Sequence, residues 1–474
     1  MLNFISTMTS TPSSIKSSLR LVTVAGCFSM IFAAGIASPA ATDFFRSLGM
    51  NEFHFGLLGG VPMIMLFLQF VGALIAPRLR RRKGLFILFT LLSRLLYLPV
   101  ALMPLLCPGL SQGAWVFYTI LIIALSQALA NFSLPLWFSW MGDLVPPSLT
   151  NRFWSRRHLW VQSTWTLAYL GVAALSYFAG LPIRVLYAVI VLGGCLAGIL
   201  DILIYLRIKE PIPPQAPNYS MVDILRAPFE HPEYRTFVRF HCYWYVAVNF
   251  FAPFTQLYVL KVLGVSAWQV TILWCLYGIA NIPTARLWGR LADRYGNRPV
   301  LTVCVWAKSL VVISFLLVTP SVAIPVLAAT FFFDGMLNSG FSIATNGYMF
   351  KMAPPMERSM FVAAITGLAG LCGCAAALLS GALLKQTTGF DLTFLGRHWN
   401  NYHLMFMVSM VLRWGAVLFA HRIREPKSSS TRDVFGYLVD LLPVQFIQIP
   451  IGWVRQLTSG LGDKDPLDDR ENTS

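Results

Sequence analysis

Charge is scarce in this chain. Only 12% of its 474 residues are Asp, Glu, Lys or Arg, against roughly 25% in a soluble domain, so an ordinary soluble globular protein is excluded. Paired cysteines are missing too. The eight cysteines are scattered, mostly inside apolar runs (Cys27, Cys195, Cys275, Cys304, Cys372 and Cys374). They show neither metal-ligand spacing nor a disulfide framework and read as small packing residues. No glycine loop ends in Lys-Ser or Lys-Thr, which argues against direct use of ATP. No His is followed by Asp after four intervening residues, no nucleophile elbow occurs, and the seven histidines are dispersed, His231 and His241 included. The chain is therefore not expected to be an enzyme, and no cofactor or metal is expected.

What is abundant is apolar sequence. Hydrophobic residues make up 56% of the chain, mean hydropathy is +0.64, and about 20 apolar residues suffice to cross a bilayer. Twelve such runs can be placed, near 19–41, 55–76, 84–106, 113–140, 158–181, 185–206, 236–258, 267–289, 299–319, 322–349, 360–384 and 402–420. The reading is an all-α polytopic membrane protein, with the lipid bilayer as its partner. A net charge of +16 does not mark a nucleic-acid binder here, because 28 of the 36 Lys and Arg fall in loops and tails on one side of these spans. The positive-inside pattern makes that side, with both termini, cytoplasmic. Residues 1–18 are a polar tail, and the first span is expected to be a retained helix rather than a signal peptide.

The chain also repeats itself. Arg207-Ile208-Lys209-Glu210-Pro211 closes one apolar region, and Arg422-Ile423-Arg424-Glu425-Pro426 closes another 215 residues later. Leu48-Gly49 matches Leu263-Gly264 at the same offset, and Asp143-Leu144-Val145-Pro146-Pro147 faces Lys351-Met352-Ala353-Pro354-Pro355. Two six-span halves, 19–206 and 236–420, with an even number of spans each, run in the same orientation. Residues 207–235, rich in proline and charge, form a cytoplasmic linker. Residues 421–474 form a cytoplasmic tail, in which Val434 to Val454 is interrupted by Asp433, Asp440, Pro443 and Pro450. That segment is expected to lie on the membrane surface rather than cross it.

Between spans eight and nine stands Gly289-Arg290-Leu291-Ala292-Asp293-Arg294-Tyr295-Gly296-Asn297-Arg298. It resembles the loop signature of the major facilitator superfamily, Gly-x-Leu-Ala-Asp-Arg-x-Gly-Arg-Lys. The resemblance implies a twelve-helix fold of two pseudo-symmetric bundles that rock about a central site. It also implies a loop that latches one conformation, with Asp293 as latch acid, Arg294 and Arg298 as its basic partners, and Gly289 and Gly296 allowing a tight approach. The equivalent first-half loop, Gly72 to Lys83, carries Pro77 where the acid is expected, so its latch departs from the pattern. Span five lacks the Gly-Pro pair of the family's drug/proton antiporters.

Ionisable residues at bilayer depth cost about 2.5–3.5 kcal/mol on insertion scales, so each needs a reason. The clear cases are Arg94, Asp201, Lys308, Asp334 and Arg413. Spans three, six, nine and twelve are support helices in the family, which implies structural pairing for Arg94, Asp201, Lys308 and Arg413. Asp201, six residues before Arg207, is also within reach of the interface. Asp334 lies in span ten, one of the spans (one, four, seven and ten) that line the path in the family. Set among Phe331, Phe332, Phe333 and Gly335, its charged form is poorly solvated, which suits proton exchange.

Polar residues recur at helical spacing on other spans. Gln127 and Asn131 lie in span four, Gln162 and Tyr169 in span five, Tyr245 and Asn249 in span seven, and Asn338 one turn beyond Asp334. Gln256 lies further out on span seven. As a group they are candidate substrate-path residues suited to a small organic solute, uncharged or zwitterionic and bearing hydroxyl or amide groups, such as a sugar or nucleoside; singly, the aromatics are also ordinary packing residues. Gly367, Gly370, Gly373, Ala377 and Gly381 form a small-residue face for close helix contact in span eleven.

The expected function is secondary active transport by alternating access, with protons as candidate coupling ion. A monomer in the inner membrane of a bacterium is the expected setting, and symport is one mode open to it. The other reading is a non-transporting accessory or receptor protein derived from the same fold, against which the polar lining residues argue.

Overall fold

A computed structural model describes residues 12–79, 81–146, 150–211, 226, 229–352, 358–394, 397–426 and 428–438. Most of the linker, and the surface segment beyond residue 438, lie outside these residues. Six spans form the first half: α1 (Pro12–Ala37 and Pro39–Ser47), α2 (Glu52–Met65 and Leu68–Ile75), α3 (Lys83–Leu95 and Tyr97–Leu106), α4 (Gln112–Leu144), α5 (Thr150–Phe178) and α6 (Ile183–Leu206). Six form the second: α7 (Pro232–Asn249 and Ala252–Lys261), α8 (Ala267–Tyr295), α9 (Asn297–Leu317), α10 (Ala323–Met352), α11 (Arg358–Gln386) and α12 (Asn401–His421). The 11/12 loop adds an antiparallel hairpin of β1 (Asp391–Phe394) and β2 (Arg397–Asn400).

Among the described residues, ten helices are long and apolar enough to cross a membrane by length and composition. The other two spans explain their own omission. Helix α5 starts at Thr150, eight residues earlier than the apolar run, and carries Arg156, Arg157 and His158 in its first turns. Helix α7 is interrupted at Phe250 and Phe251, leaving pieces of 18 and 10 residues. The short 5/6 connection turns through Gly180 at φ 57°.

The duplication is visible in local structure. After α1 and after the second piece of α7 the chain turns through Gly49 and Gly264, at φ 87° and 67°, a region that L side chains rarely adopt. The next helix then starts with a reciprocal cap in both halves. Asn51 N donates to His54 Nδ1 at 3.1 Å, and Ser266 N donates to Gln269 Oε1 at 3.0 Å, so an otherwise orphaned helix-start donor is satisfied in each. Pro39 restarts α1 and Pro253 stands at the restart of α7, where proline's missing N–H costs nothing.

The repeated pentapeptides have a physical task. Glu210 Oε1 accepts from the N–H of Arg82 at 2.6 Å and of Lys83 at 3.3 Å, at the start of α3. Glu425 accepts from Arg298 N at 2.7 Å and from Asn297 Nδ2 at 3.1 Å, at the start of α9. Each carboxylate thus ties the end of a half to the N-terminus of its third span, where the helix dipole favours a negative charge.

Contacts between the halves run through α2 against α11 and α5 against α8. A Cβ at Gly56 would stand 2.8 Å from Ala377 O, and one at Gly367 would stand 1.9 Å from Phe70 Cε2, so α2 and α11 touch backbone to backbone. On the face away from the basic loops, one apolar core takes in both halves, from Phe44 and Tyr187 to Phe254, Phe315 and Phe406. Toward the basic face the core divides. One cluster lies in the second half with Phe70 of α2 added, and another lies wholly in the first half around Trp140 and Tyr205.

Candidate functional site

The two helix breaks face each other. Ser38 ends the first piece of α1 with an extended backbone, and its Oγ donates to Gly35 O at 3.0 Å. One turn on, Thr42 Oγ1 donates to Gln256 Oε1 of α7 at 2.8 Å. These residues are 214 positions apart, as Pro39 and Pro253 are, so the hydrogen bond joins equivalent points of the two halves.

Beneath it lies a cavity of about 490 Å³ between the halves. Trp244 and Phe251 of α7, Tyr277 of α8 and Phe341 of α10 supply aromatic wall. Three ionisable residues line it: Lys308 of α9, Asp334 of α10 and Arg413 of α12. Lys308 Nζ donates to Asp334 Oδ1 at 2.6 Å, the ammonium nearly buried and the carboxyl 30% exposed. Arg413 Nη1 donates to Lys308 O at 3.2 Å, and the guanidinium lies 5.6 Å from the Trp244 ring and 5.5 Å from that of Phe251.

Of the substrate-path residues expected from sequence, Gln256, Asp334 and Asn338 line this cavity. The others are placed elsewhere. Asn131 accepts from Gln69 Nε2 of α2 at 2.8 Å and donates to Gln127 O at 2.9 Å, while Gln127 Nε2 reaches Tyr97 OH at 3.4 Å. Tyr169 donates to Ala37 O at 3.2 Å with its ring 4.3 Å from Trp165, and Gln162 is half-buried on the same helix. Asn249 donates to Tyr245 O at 2.9 Å, and both pack on Gly373, where a Cβ would stand 2.8 Å from Asn249 Nδ2.

Sequence reasoning set Asp334 alone among phenylalanines and gave Lys308 and Arg413 to support helices. The structure brings all three to one wall. Lys308 stands 214 positions after Arg94 and so occupies the equivalent place in its half, where a base at that depth needs an acid. In the first half Arg94 Nη2 meets Asp201 Oδ2 at 3.0 Å and Ser29 Oγ at 2.7 Å. Asp201 is 3% exposed, so it is a buried partner rather than an interfacial residue.

The loop residues separate as well. Asp293 is exposed and makes no ion pair with Arg294 or Arg298 in this conformation. Arg294 lies 5.2 Å from the Tyr295 ring and 5.8 Å from that of Tyr437 in the tail. Gly289 faces open space, whereas Gly296, at φ 96°, lets Glu425 and Ser428 approach closely. The buried acid here is Glu425. Its burial favours the neutral form, but the Arg298 N–H, the Lys351 ammonium at 3.0 Å and the Asn297 amide outweigh that and hold it below its ordinary value of 4.5. In the first half, with Pro77 in a short 3-10 turn, Glu210 takes the equivalent place and Arg82 stands where Asn297 does. Arg82 meets Asp143 at 2.6 Å and Ser139 at 2.6 Å.

A family model described as Major Facilitator Superfamily matches residues 23–381 and 240–455. The chain belongs to the Major Facilitator Superfamily, and it is an integral membrane protein. Comparison with curated protein sequences gives no match. Among solved structures, the D323A mutant of the nucleoside transporter NupG is similar at TM-score 0.67 and 12% identity, covering 86% of this chain and 100% of that one. A bacterial homolog of human Spinster, inward-facing and occupied, aligns at 0.67 and 15%, covering 89% and 100%. A D-xylose-proton symporter aligns at 0.65 and 13%, covering 87% and 99%.

Proposed function

We propose that this protein is a secondary active transporter that moves a small organic solute by alternating access and couples the movement to protons. The observation that carries the reading is the cavity between the halves with the Lys308–Asp334 pair in its wall. An ion pair buried in a structural role has no need of a cavity. Placed on one, it has two uses for the same ammonium: Asp334 holds Lys308 when ionised and releases it when protonated, and the released cation then faces the solute. The titratable groups facing Asp334 are Lys308 of α9, Arg413 of α12 and Tyr277 of α8. Use of this fold by a D-xylose-proton symporter supports proton coupling as chemistry the fold accommodates.

The halves 19–206 and 236–420 would be the rocking units, joined at one face by the Thr42–Gln256 hydrogen bond and the Lys261–Glu52 pair at 2.5 Å. Both must break for that face to open. The divided core at the basic face supports a state closed opposite to it. By the distribution of Lys and Arg the basic face and both termini are cytoplasmic, in the inner membrane of a bacterium, with a monomer as the working unit. Asp293, Arg294 and Arg298 would latch the alternate state, since Asp293 has no partner in this one. Gln127, Asn131, Gln162, Tyr169, Tyr245 and Asn249 would act on the path only after the halves move.

The test is solute flux in proteoliposomes under an imposed pH gradient. Wild type accumulates solute only with the gradient, and Asp334→Asn loses that dependence. An Asp334→Asn protein whose flux keeps its pH dependence refutes the coupling, and no flux with any solute would favour the accessory-protein reading.

A further inference from the structure

The ionisable wall of the cavity does not balance. Lys308 and Arg413 carry two positive charges, Asp334 carries one negative charge, and no other Asp, Glu, Lys or Arg among the described residues lines the space. The pair accounts for Lys308 and Asp334, which leaves one positive charge over. Arg413 is 5% exposed, a depth at which an uncompensated charge costs several kcal/mol. Its hydrogen bond to Lys308 O is to a neutral carbonyl, and its buried Nε has no hydrogen-bond partner. Trp274, also on the cavity wall, has a buried Nε1 with none. The site is short of acceptors and of one negative charge.

Resting on the transporter reading of the same cavity, we infer that the solute is a small organic anion, a carboxylate or a phosphate, whose head group binds between Lys308 and Arg413. A planar guanidinium presents paired N–H donors to a carboxylate or a phosphate oxygen pair, and the aromatic wall of Trp244, Tyr277 and Phe341 suits an apolar or ring-shaped body. The unpartnered indole N–H of Trp274 offers a further donor to an acceptor-rich solute. A carboxylate monoanion neutralises the surplus with Asp334 ionised. A phosphate dianion does so only with Asp334 protonated, which separates the two sources of the head group by their pH dependence. Binding of the anion and of a proton reinforce each other: the proton removes the carboxylate that competes with the anion for Lys308, and the anion occupies the ammonium that competes with the proton for Asp334.

The experiment measures binding to the purified full chain, by thermal shift and calorimetry, with matched pairs that differ in the anionic group. These are gluconate against glucose, benzoate against benzamide, and glucose 6-phosphate against glucose. The anion of at least one pair is expected to bind at least about tenfold more tightly than its neutral member. Arg413→Lys keeps the charge but loses the fork and should weaken the anion about tenfold. Asp334→Asn removes the competing carboxylate and should tighten it, an outcome a misfolded protein cannot give. Equal or tighter binding of the neutral members overturns the inference, as does weaker anion binding by Asp334→Asn or no binding by any pair. Flux in the same preparation keeps the two readings apart. A neutral solute carried with protons leaves the transporter and removes the anion, whereas an anion bound tightly and never carried leaves the anion site and removes the transporter.

Discussion

The two halves share a frame and differ in where they spend their charge. Both start their second span with a reciprocal cap, both turn through a left-handed glycine, and both tie their last residues to the third span with a glutamate. Yet the first half's deep pair, Arg94 with Asp201, lies within its own bundle, whereas the second half's pair lines the cavity. Duplication fixed the scaffold. Among the described residues, however, only the second half brings charged side chains, Lys308, Asp334 and Arg413, to the wall of the cavity.

The sharpest way to break this comparison is to neutralise the acid of each pair. Asp201→Ala leaves Arg94 with Ser29 and the Phe32 ring, 4.2 Å away, as its remaining partners, and should cost about 3–5 kcal/mol of stability, read as a drop in unfolding temperature in detergent. Replacing both members with apolar residues should recover most of that. Asp334→Asn keeps an acceptor for Lys308 and should unfold near the wild-type temperature while losing pH-dependent transport. If Asp334→Asn instead behaves like Asp201→Ala, both pairs are structural.

A second contrast concerns the glutamates. Glu425, its side chain wholly buried, should cost about 1.5–3 kcal/mol when changed to Gln, as for a hydrogen-bonded charge. Because its carboxyl is held below 4.5 in the folded state, that contribution is present above the unfolded value and is lost as pH falls through the folded one. Chemical denaturation of wild type and Glu425→Gln should therefore converge below about pH 4.5. Constant separation down to strong acid would contradict the assignment.

Contacts between the halves should give smaller effects on stability. Thr42→Val removes one hydrogen bond and should cost about 0.5–1.5 kcal/mol, while favouring opening of the face it closes, visible as faster labelling of a cysteine placed at position 45. Asp293→Asn should change stability least, within about 0.5 kcal/mol, as for an exposed residue without partners. It should still slow transport if the latch acts in the other state, and unchanged transport would remove Asp293 from the cycle.

Much of the fold was legible because its signals are local. Apolar run length located twelve spans, and the Arg-Ile-x-Glu-Pro repeat located the halves, although what the repeat does, a carboxylate capping a distant helix, is a tertiary fact. The cavity wall was legible on span ten, where Asp334 and Asn338 stand one turn apart. The amides Gln127, Asn131 and Asn249 bonded along and between helices of their own half, which is what buried amides do when a neighbour is near. Lys308 and Arg413 were missed as cavity-lining residues because spans nine and twelve were read as support helices, whereas α9 reaches the cavity wall with Lys308, Val311 and Phe315 and α12 with Arg413. Periodicity carries no information on that reach.

The central claim is that Asp334, and not Asp201, the acid of the first half's deep ion pair, couples solute to protons. The direct measurement is the solute-dependent change in lumenal pH of proteoliposomes, followed with a trapped pH dye, for wild type, Asp334→Asn and Asp201→Asn, each normalised to folded protein. The account predicts a pH change in wild type and Asp201→Asn and none in Asp334→Asn. A solute-dependent pH change of wild-type size in Asp334→Asn would contradict it.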